Sequence, residues 1–419
     1  MIGAGVFTTL GLQLAGLPSP FAVLMLWVVG GVGAFCGALC YGELGALMPR
    51  SGGEYTYLSR IYHPAVGFLS AWVSLVAGFA APIALAAMAL AEYAAALFPV
   101  LDKTVVAVSV IVVVSVVHLI DVRLGCHFQN IFTIGKILLI AGFIVAGVWL
   151  ADPQPLAWSP SRSDWGAVCS SAFAISLVYV FYAYSGWNSA AYVAGEIQKA
   201  ERNLPLSLFL GTACVALFYV LLNFIFLYTV PVSELAGKID VGFLSARAIF
   251  GGKGAAWMAV LICLALISSL SSLIMVGPRV MQAMGEDLGG FSLLARKNAR
   301  GAPVFAVLLQ SGVAIVLTLT ATFNAVLTYV GFTLALFASL TVAGVIVLRL
   351  RRPDLPRPFR TWGYPVTPAV FLLLYGWMLI YLILERPLPS GFGLLTLASG
   401  LLIYRLLATR PAAMNRKFP

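Results

Sequence analysis

The stretch from Val178 to Pro205, V-Y-V-F-Y-A-Y-S-G-W-N-S-A-A-Y-V-A-G-E-I-Q-K-A-E-R-N-L-P, begins as a membrane-spanning helix and ceases to be one halfway along. Val168 to Tyr184 carry no charge and are rich in Ala, Val, Ile and aromatics, as a helix surrounded by hydrocarbon requires. Ser185, Gly186, Trp187, Asn188 and Ser189 then place a helix breaker and three small polar side chains near the depth of the bilayer centre. Backbone released from helical pairing there is tolerated only where it lines a cavity or is buried by protein, so a midplane break points to a carrier's binding site. The first residues, Met1-Ile2-Gly3-Ala4-Gly5-Val6-Phe7, have the same character, with two glycines one apart inside an apolar run. This reading predicts that the two breaks face each other and hold the transported molecule between them.

Working outward, the composition excludes an ordinary soluble protein. Hydrophobic residues make up 61% of 419, charged residues 10%, and the mean hydropathy is +1.00. The chain is expected to be an all-α polytopic membrane protein. Cys36, Cys40, Cys126, Cys169, Cys214 and Cys263 are scattered through apolar runs without metal or disulfide spacing and read as small core residues. His63, His118 and His127 have no H-E-x-x-H or carboxylate-pair context, so neither a metal nor another cofactor is expected, and an enzyme is disfavoured. Met1 is followed at once by the Gly-broken run, with no basic segment of a cleavable signal peptide.

Apolar runs fall at about 1–16, 20–48, 65–98, 104–120, 128–150, 168–193, 205–230, 255–284, 303–321, 325–349, 366–384 and 389–409. A core of ~30 Å takes about 20 helical residues, so these are read as twelve spans. The first is short and starts at its own break, and the expectation is that the chain begins late, at an internal methionine. The segment D-P-Q-P-L-A-W-S-P from Asp152 separates two sets of five helices, 1–150 and 168–350, with spans 11 and 12 (366–409) outside them. The broken spans 1 and 6 then occupy matching positions, as inverted repeats require. Loops after the even-numbered spans, with the tail, carry eighteen Lys and Arg, and the opposite loops six, which places the C-terminus in the cytoplasm. The net charge of +10 is therefore an orientation signal, and no nucleic-acid partner is expected.

A helix N-terminus presents unpaired N–H groups and a partial positive charge, which suit a carboxylate. Gly3 and Gly5 let the backbone approach an anion closely, and carbonyls near Tyr182, Ala183 and Tyr184 can accept from an ammonium group. One pocket would thus read both ends of an α-amino acid. The alternative for Gly3 and Gly5 is a close helix-packing motif. Lys136, in F-T-I-G-K-I-L-L-I-A-G-F, is the one charge deep in an apolar span and costs about 2.5–3.5 kcal/mol at the bilayer centre unless partnered. Its expected partners are carbonyls of span 1 and the hydroxyls of Ser268, Ser269, Ser271 and Ser272; Ser269 and Ser272 share a helix face. Such a lysine can stand for a bound cation or carry a proton, the alternative being a lysine snorkelling to the interface. Glu43 and Glu92 read as interfacial or structural, and span 3 carries no charge between Ala65 and Ala91. A wall without a carboxylate favours neutral substrates.

These residues resemble a known superfamily. Ile2-Gly3-Ala4-Gly5-Val6-Phe7 is similar to the I-G-[SA]-G-[IV]-F motif of the amino acid-polyamine-organocation superfamily. Tyr41-Gly42-Glu43-Leu44 through Pro49-Arg50-Ser51-Gly52-Gly53-Glu54-Tyr55 looks like its Y-x-E-L…P-x-S-G-G-x-Y element. Tyr184 to Asn188, with Glu196-Ile197 and Glu201 to Pro205, resembles the span 6 run of the L-type amino acid transporter branch. The resemblance implies a LeuT-type fold of five plus five inverted helices with two extra C-terminal helices, and alternating access to a central site. The substrate-binding set it implies is Ile2, Gly3, Ala4, Gly5, Tyr182, Ala183, Ser185 and Asn188, with Tyr182 capping the substrate and Trp187 buttressing the break. Lys136, with Ser269 and Ser272, would take the place of a sodium ion. The implied activity is sodium-independent exchange of neutral L-amino acids across a bacterial plasma membrane; a proton-coupled symporter and a non-transporting amino acid sensor are the alternatives. Three departures stand out: half of span 1 is missing, which leaves the inner gate incomplete; the second acid of the family's E-E pair is absent, since Gly195 precedes Glu196; and the loop between spans 3 and 4 lacks a cysteine for a partner glycoprotein, so none is expected.

Overall fold

Hydrocarbon offers backbone polar groups no partner except one another, and this chain answers with helices along its length. The computed structural model describes residues 1–120, 122–155, 160–299 and 301–407, with the backbone alone over 122–130 and at 407. Span 1 comprises α1 (Ala4–Thr8) and α2 (Leu10–Gly16). Thr9 between them keeps right-handed helical dihedrals and its amide donates to Gly5 O at 3.0 Å, so the two run on as one helix beginning at Ala4. Then come α3 (Pro20–Leu47), capped by the Ser19 hydroxyl on the Ala22 amide, and the short α4 (Glu54–Ile61). Span 3 is α5 (Pro64–Val73) and α6 (Ala81–Leu97), joined through a π-helical stretch over Ser74–Ala80. Such widened turns occur often at functional sites.

Beyond these lie α7 (Lys103–Ile120), α8 (Val122–Leu150), α9 (Arg162–Val168), α10 (Ser171–Tyr184), α11 (Ser189–Tyr192), α12 (Ala200–Thr229) and α13 (Val232–Leu235). The chain closes with α14 (Val241–Asp287), α15 (Ser292–Ala295), α16 (Val304–Thr320), α17 (Phe323–Arg351), α18 (Val366–Glu385) and α19 (Pro387–Leu407). Among the described residues nine helical stretches are long and apolar enough to cross a membrane, and α9 with α10, bent by 61°, makes a tenth. The 17-residue α16 and the short α1–α2 helix account for the remaining apolar runs. The sixth run, read as a helix that breaks after Tyr184, does so: α10 stops there. In α14 the non-helical dihedrals of Gly251 (φ 71°, ψ −175°) separate a preceding helical segment, from Val241, from the helix that carries the eighth run.

The large apolar side chains left on the outside, among them Val105, Leu138, Val145, Leu373 and Leu384, suit a lipid surround. Inside, α3 packs along α12, α10 and α18, and α14 along α6 and α8. Glu43, 2% exposed, accepts from Arg349 Nη2 at 2.6 Å and from the Thr361 amide at 2.7 Å, with Arg357 Nε at 3.3 Å. It thereby pins the segment after α17 to α3. Cys36 and Cys40 are buried, but Cys169 and Cys214 are exposed, which corrects the reading of the cysteines as core residues; the side chain of Cys126 lies outside the described residues.

Candidate functional site

The two breaks meet. Residues 1–3 are not helical, Gly3 has extended dihedrals (φ −144°, ψ −158°), and no side chain caps α1, so its first amides are left without helical partners. In span 6, Ser185 turns out of the helix (φ −52°, ψ 149°) and Gly186 takes φ +86°, a left-handed conformation that a side chain would strain. A Cβ on Gly186 would stand 3.3 Å from the Met1 nitrogen. A Cβ on Gly5 would stand 2.5 Å from Ala183 Cα, so Gly5 lets α1 press directly against the end of α10. Gly5 is therefore a packing glycine as well as a wall of the break, which unites the two readings of the G-x-G pair.

Between the breaks lies a cavity of about 560 Å³, within the usual range for small-molecule sites. It is bordered by Ile2, Gly3, Ala4, Gly5, Tyr182, Ala183, Ser185 and Asn188, and by Lys136, Ser269 and Ser272, so the tertiary fold brings all eleven expected residues together. The carbonyls need one correction. Tyr182 O already accepts from Ser185 N at 2.9 Å and Tyr184 O from Trp187 N at 3.3 Å, both within the turn. Among the described residues Ala183 O receives no backbone N–H, which leaves it the free acceptor at the end of α10.

Lys136 is 5% exposed and does not snorkel. Its Nζ donates to Ser269 Oγ at 2.9 Å and to Ile2 O at 3.3 Å. The Ser269 hydroxyl has Ala265 O at 2.9 Å and Ile2 O at 3.1 Å as acceptors for its own proton. A cation and a hydroxyl from α8 and α14 thus converge on the carbonyl that precedes the break of span 1. Ser272 instead donates to Ser268 O within its own helix, and Ser271 pairs with His118 Nε2 at 2.8 Å. Trp187 fits a notch at Gly37, where a Cβ would come within 2.8 Å of its ring, and stacks edge-on against Tyr41 with centroids 4.7 Å apart.

Sequence reasoning missed Glu54. It is the acid of the S-G-G-E-Y element, and its place in the cavity wall corrects the expectation of a wall without a carboxylate, which the uncharged span 3 alone suggests. Glu54, at the head of α4 and outside the spans, is 3% exposed and borders the cavity. Its Oε1 accepts from Tyr41 Oη at 2.5 Å and from Asn188 Nδ2 at 3.2 Å, and burial pushes its carboxyl up to about 7. Tyr219 was also missed: its hydroxyl donates to Met1 O at 2.8 Å. No local pattern marks either residue, because the contacts join segments far apart in the chain. Among the described residues no group of three or more His, Cys, Asp or Glu is placed to hold a metal.

With this geometry in hand, comparison with known proteins is specific. The family model described as "Amino acid permease" matches residues 1–403. The chain is 29% identical over 423 residues to the large neutral amino acids transporter small subunit 2 of Rattus norvegicus, covering 97% of this chain and 78% of the relative. It is 30% identical over 419 residues to the b(0,+)-type amino acid transporter 1 of Homo sapiens, covering 97% and 84%, and 29% identical to the Mus musculus protein of that name at the same coverage. A multi-pass helical membrane protein with such relatives is a transporter and not an enzyme: the chain belongs to the amino acid permease family.

Proposed function

We propose that the protein is a sodium-independent carrier that exchanges neutral L-amino acids through the cavity between its two broken spans. The observation that carries this is a cavity bordered both by the start of α1, whose first amides have no helical partner or side-chain cap, and by Ala183 at the end of α10, whose carbonyl receives no backbone N–H among the described residues. The amides suit a carboxylate and the carbonyl an ammonium group, so a zwitterion satisfies both ends. In this reading Ile2, Gly3, Ala4 and Gly5 hold the carboxylate, Tyr182 caps the bound molecule, and Ser185 and Asn188 shape the floor. Lys136, held by Ser269 beside Ile2 O, supplies a fixed positive charge where a bound cation would otherwise be needed, which supports sodium independence. Neutral side chains are favoured because the one carboxyl bordering the cavity is buried and hydrogen-bonded, with no ion pair among the described residues to keep it charged.

Residues 1–150 and 168–350 form two inverted five-helix repeats in this account, with 366–409 outside them. The setting in this reading is the plasma membrane of a bacterium, and the excess of Lys and Arg after even-numbered spans supports a cytoplasmic C-terminus. The five residues between α6 and α7, Phe98 to Asp102, contain no cysteine, in keeping with a carrier that works without a disulfide-linked glycoprotein subunit. Purified protein in proteoliposomes tests the reading. Uptake of labelled L-leucine that requires internal L-leucine supports exchange. Uptake driven by a pH gradient into empty vesicles would replace exchange with proton symport. Protection of the protein from thermal unfolding by L-leucine, with no uptake or counterflow, would mean that it senses amino acids without moving them.

A further inference from the structure

We infer that Glu54 is a proton-binding site linked to substrate: its neutral form leaves Asn188 to the cavity, and its ionised form draws Asn188 onto itself. The inference rests on the carrier reading above and adds to it the group through which pH would act.

The carboxyl sits where the hinge of span 6 meets the helix that precedes span 3. Asn188, in the turn after Gly186, spends its amide N–H groups on Glu54 Oε1 and Tyr192 Oη, each at 3.2 Å. The groups facing Glu54 are Tyr41 from α3, Tyr57 from its own helix, Ser70 from α5, Tyr192 from α11 and Tyr375 from α18. All of these are neutral at physiological pH, and among the described residues Glu54 makes no ion pair. A carboxylate in such a setting lacks compensation, whereas a carboxylic acid is at home there.

Oε1 is occupied by Tyr41 and Asn188, so a proton arriving from cavity water binds Oε2. The Ser70 hydroxyl of α5 is placed to donate to this carboxyl, and the Tyr57 hydroxyl is buried nearby without a hydrogen-bond partner. Ionisation strengthens the pull on every donor in reach, since hydrogen bonds to a charged acceptor are about twice as strong as neutral ones. Asn188 is the donor that also belongs to the cavity wall. Removing the proton therefore holds Asn188 against α4, and loading the cavity with an amino acid that engages Asn188 favours the protonated acid. By linkage the two effects are reciprocal.

The experiment compares wild type with Glu54→Gln in two readouts between about pH 5 and about pH 8.5, a window that brackets the titration of a buried carboxyl. In L-leucine counterflow the wild-type KM is expected to rise roughly tenfold as pH increases through neutrality, and Glu54→Gln to hold the acid-side KM throughout. In thermal unfolding without substrate, the folded state binds the Glu54 proton more tightly than the unfolded chain does. Wild type therefore loses stability as pH rises from about 4.5 to about 7, and Glu54→Gln lacks that decline. A Glu54→Gln protein with the wild-type profile in both readouts overturns the inference. So does loss of L-lysine uptake with L-leucine kinetics unchanged, which would make Glu54 a fixed counter-charge. If wild type moves no L-leucine at any pH, the carrier reading fails while the unfolding profile still decides the proton site. Should Glu54→Gln not fold, Glu54→Asp must shift the midpoint of that profile, and an unmoved midpoint refutes the assignment.

Discussion

Lys136 Nζ donates to Ser269 Oγ at 2.9 Å, inside the protein and beside the carbonyl of Ile2. This bond ties α8 to α14 at the point where span 1 starts, so a charge buried in one helix fixes the backbone of another. Removing it leaves the Ile2 carbonyl and the Ser269 hydroxyl short of a donor. Lys136→Ala is expected to lower L-leucine counterflow by roughly tenfold to a hundredfold, since a hydrogen bond to a charged group contributes about 1.5–3 kcal/mol. Ser269→Ala, which keeps the cation, should cost about tenfold or less. Counterflow in Lys136→Ala equal to wild type would remove the lysine from the mechanism.

The contact of Gly5 with Ala183 predicts a strictly local steric effect. Gly5→Ala places a Cβ 2.5 Å from Ala183 Cα, against backbone that cannot rotate away. The expected loss is about 1–3 kcal/mol of stability, with the two breaks forced apart and uptake lost. Gly135→Ala is the control: nothing lies within 4 Å of its would-be Cβ, and replacing a mid-helix glycine should stabilise by about 0.5–1 kcal/mol. Thermal unfolding of the two variants side by side checks the contrast; equal stabilities would show that the close approach is not there.

Glu43 serves the scaffold and not the cavity, and its replacement should separate stability from substrate handling. Glu43→Gln leaves the Arg349 and Arg357 guanidiniums without their carboxylate, a loss of about 3–5 kcal/mol for a buried pair. The apparent unfolding temperature should fall sharply while the KM for L-leucine in the surviving protein stays within about twofold of wild type, because additivity holds for distant sites. A large change in KM with little change in stability would place Glu43 in the transport pathway.

Much of this was legible in the residues themselves. Hydrocarbon imposes local rules, so an uncharged run of twenty residues reads as a helix and a Ser-Gly pair inside one reads as a break without any tertiary knowledge. Gly3, Gly5, Ser185 and Asn188 were found this way, because breaks at the start of span 1 and the middle of span 6 carry their own signature; Lys136 stood out as a lone charge in an apolar span, and the full set of eleven drew on the family resemblance as well. What the tertiary structure alone decided was which distant groups complete the site. Glu54 belongs to a short helix whose sequence says only that it is amphipathic; it reaches the cavity because Tyr41 and Asn188, brought from two other segments, close around it. Likewise, that Gly5 is a contact with Ala183 and that the carbonyls of Tyr182 and Tyr184 are already engaged follow from how the turns pack. Local periodicity records what each helix needs from its solvent, whereas pairing across the fold depends on where other helices end.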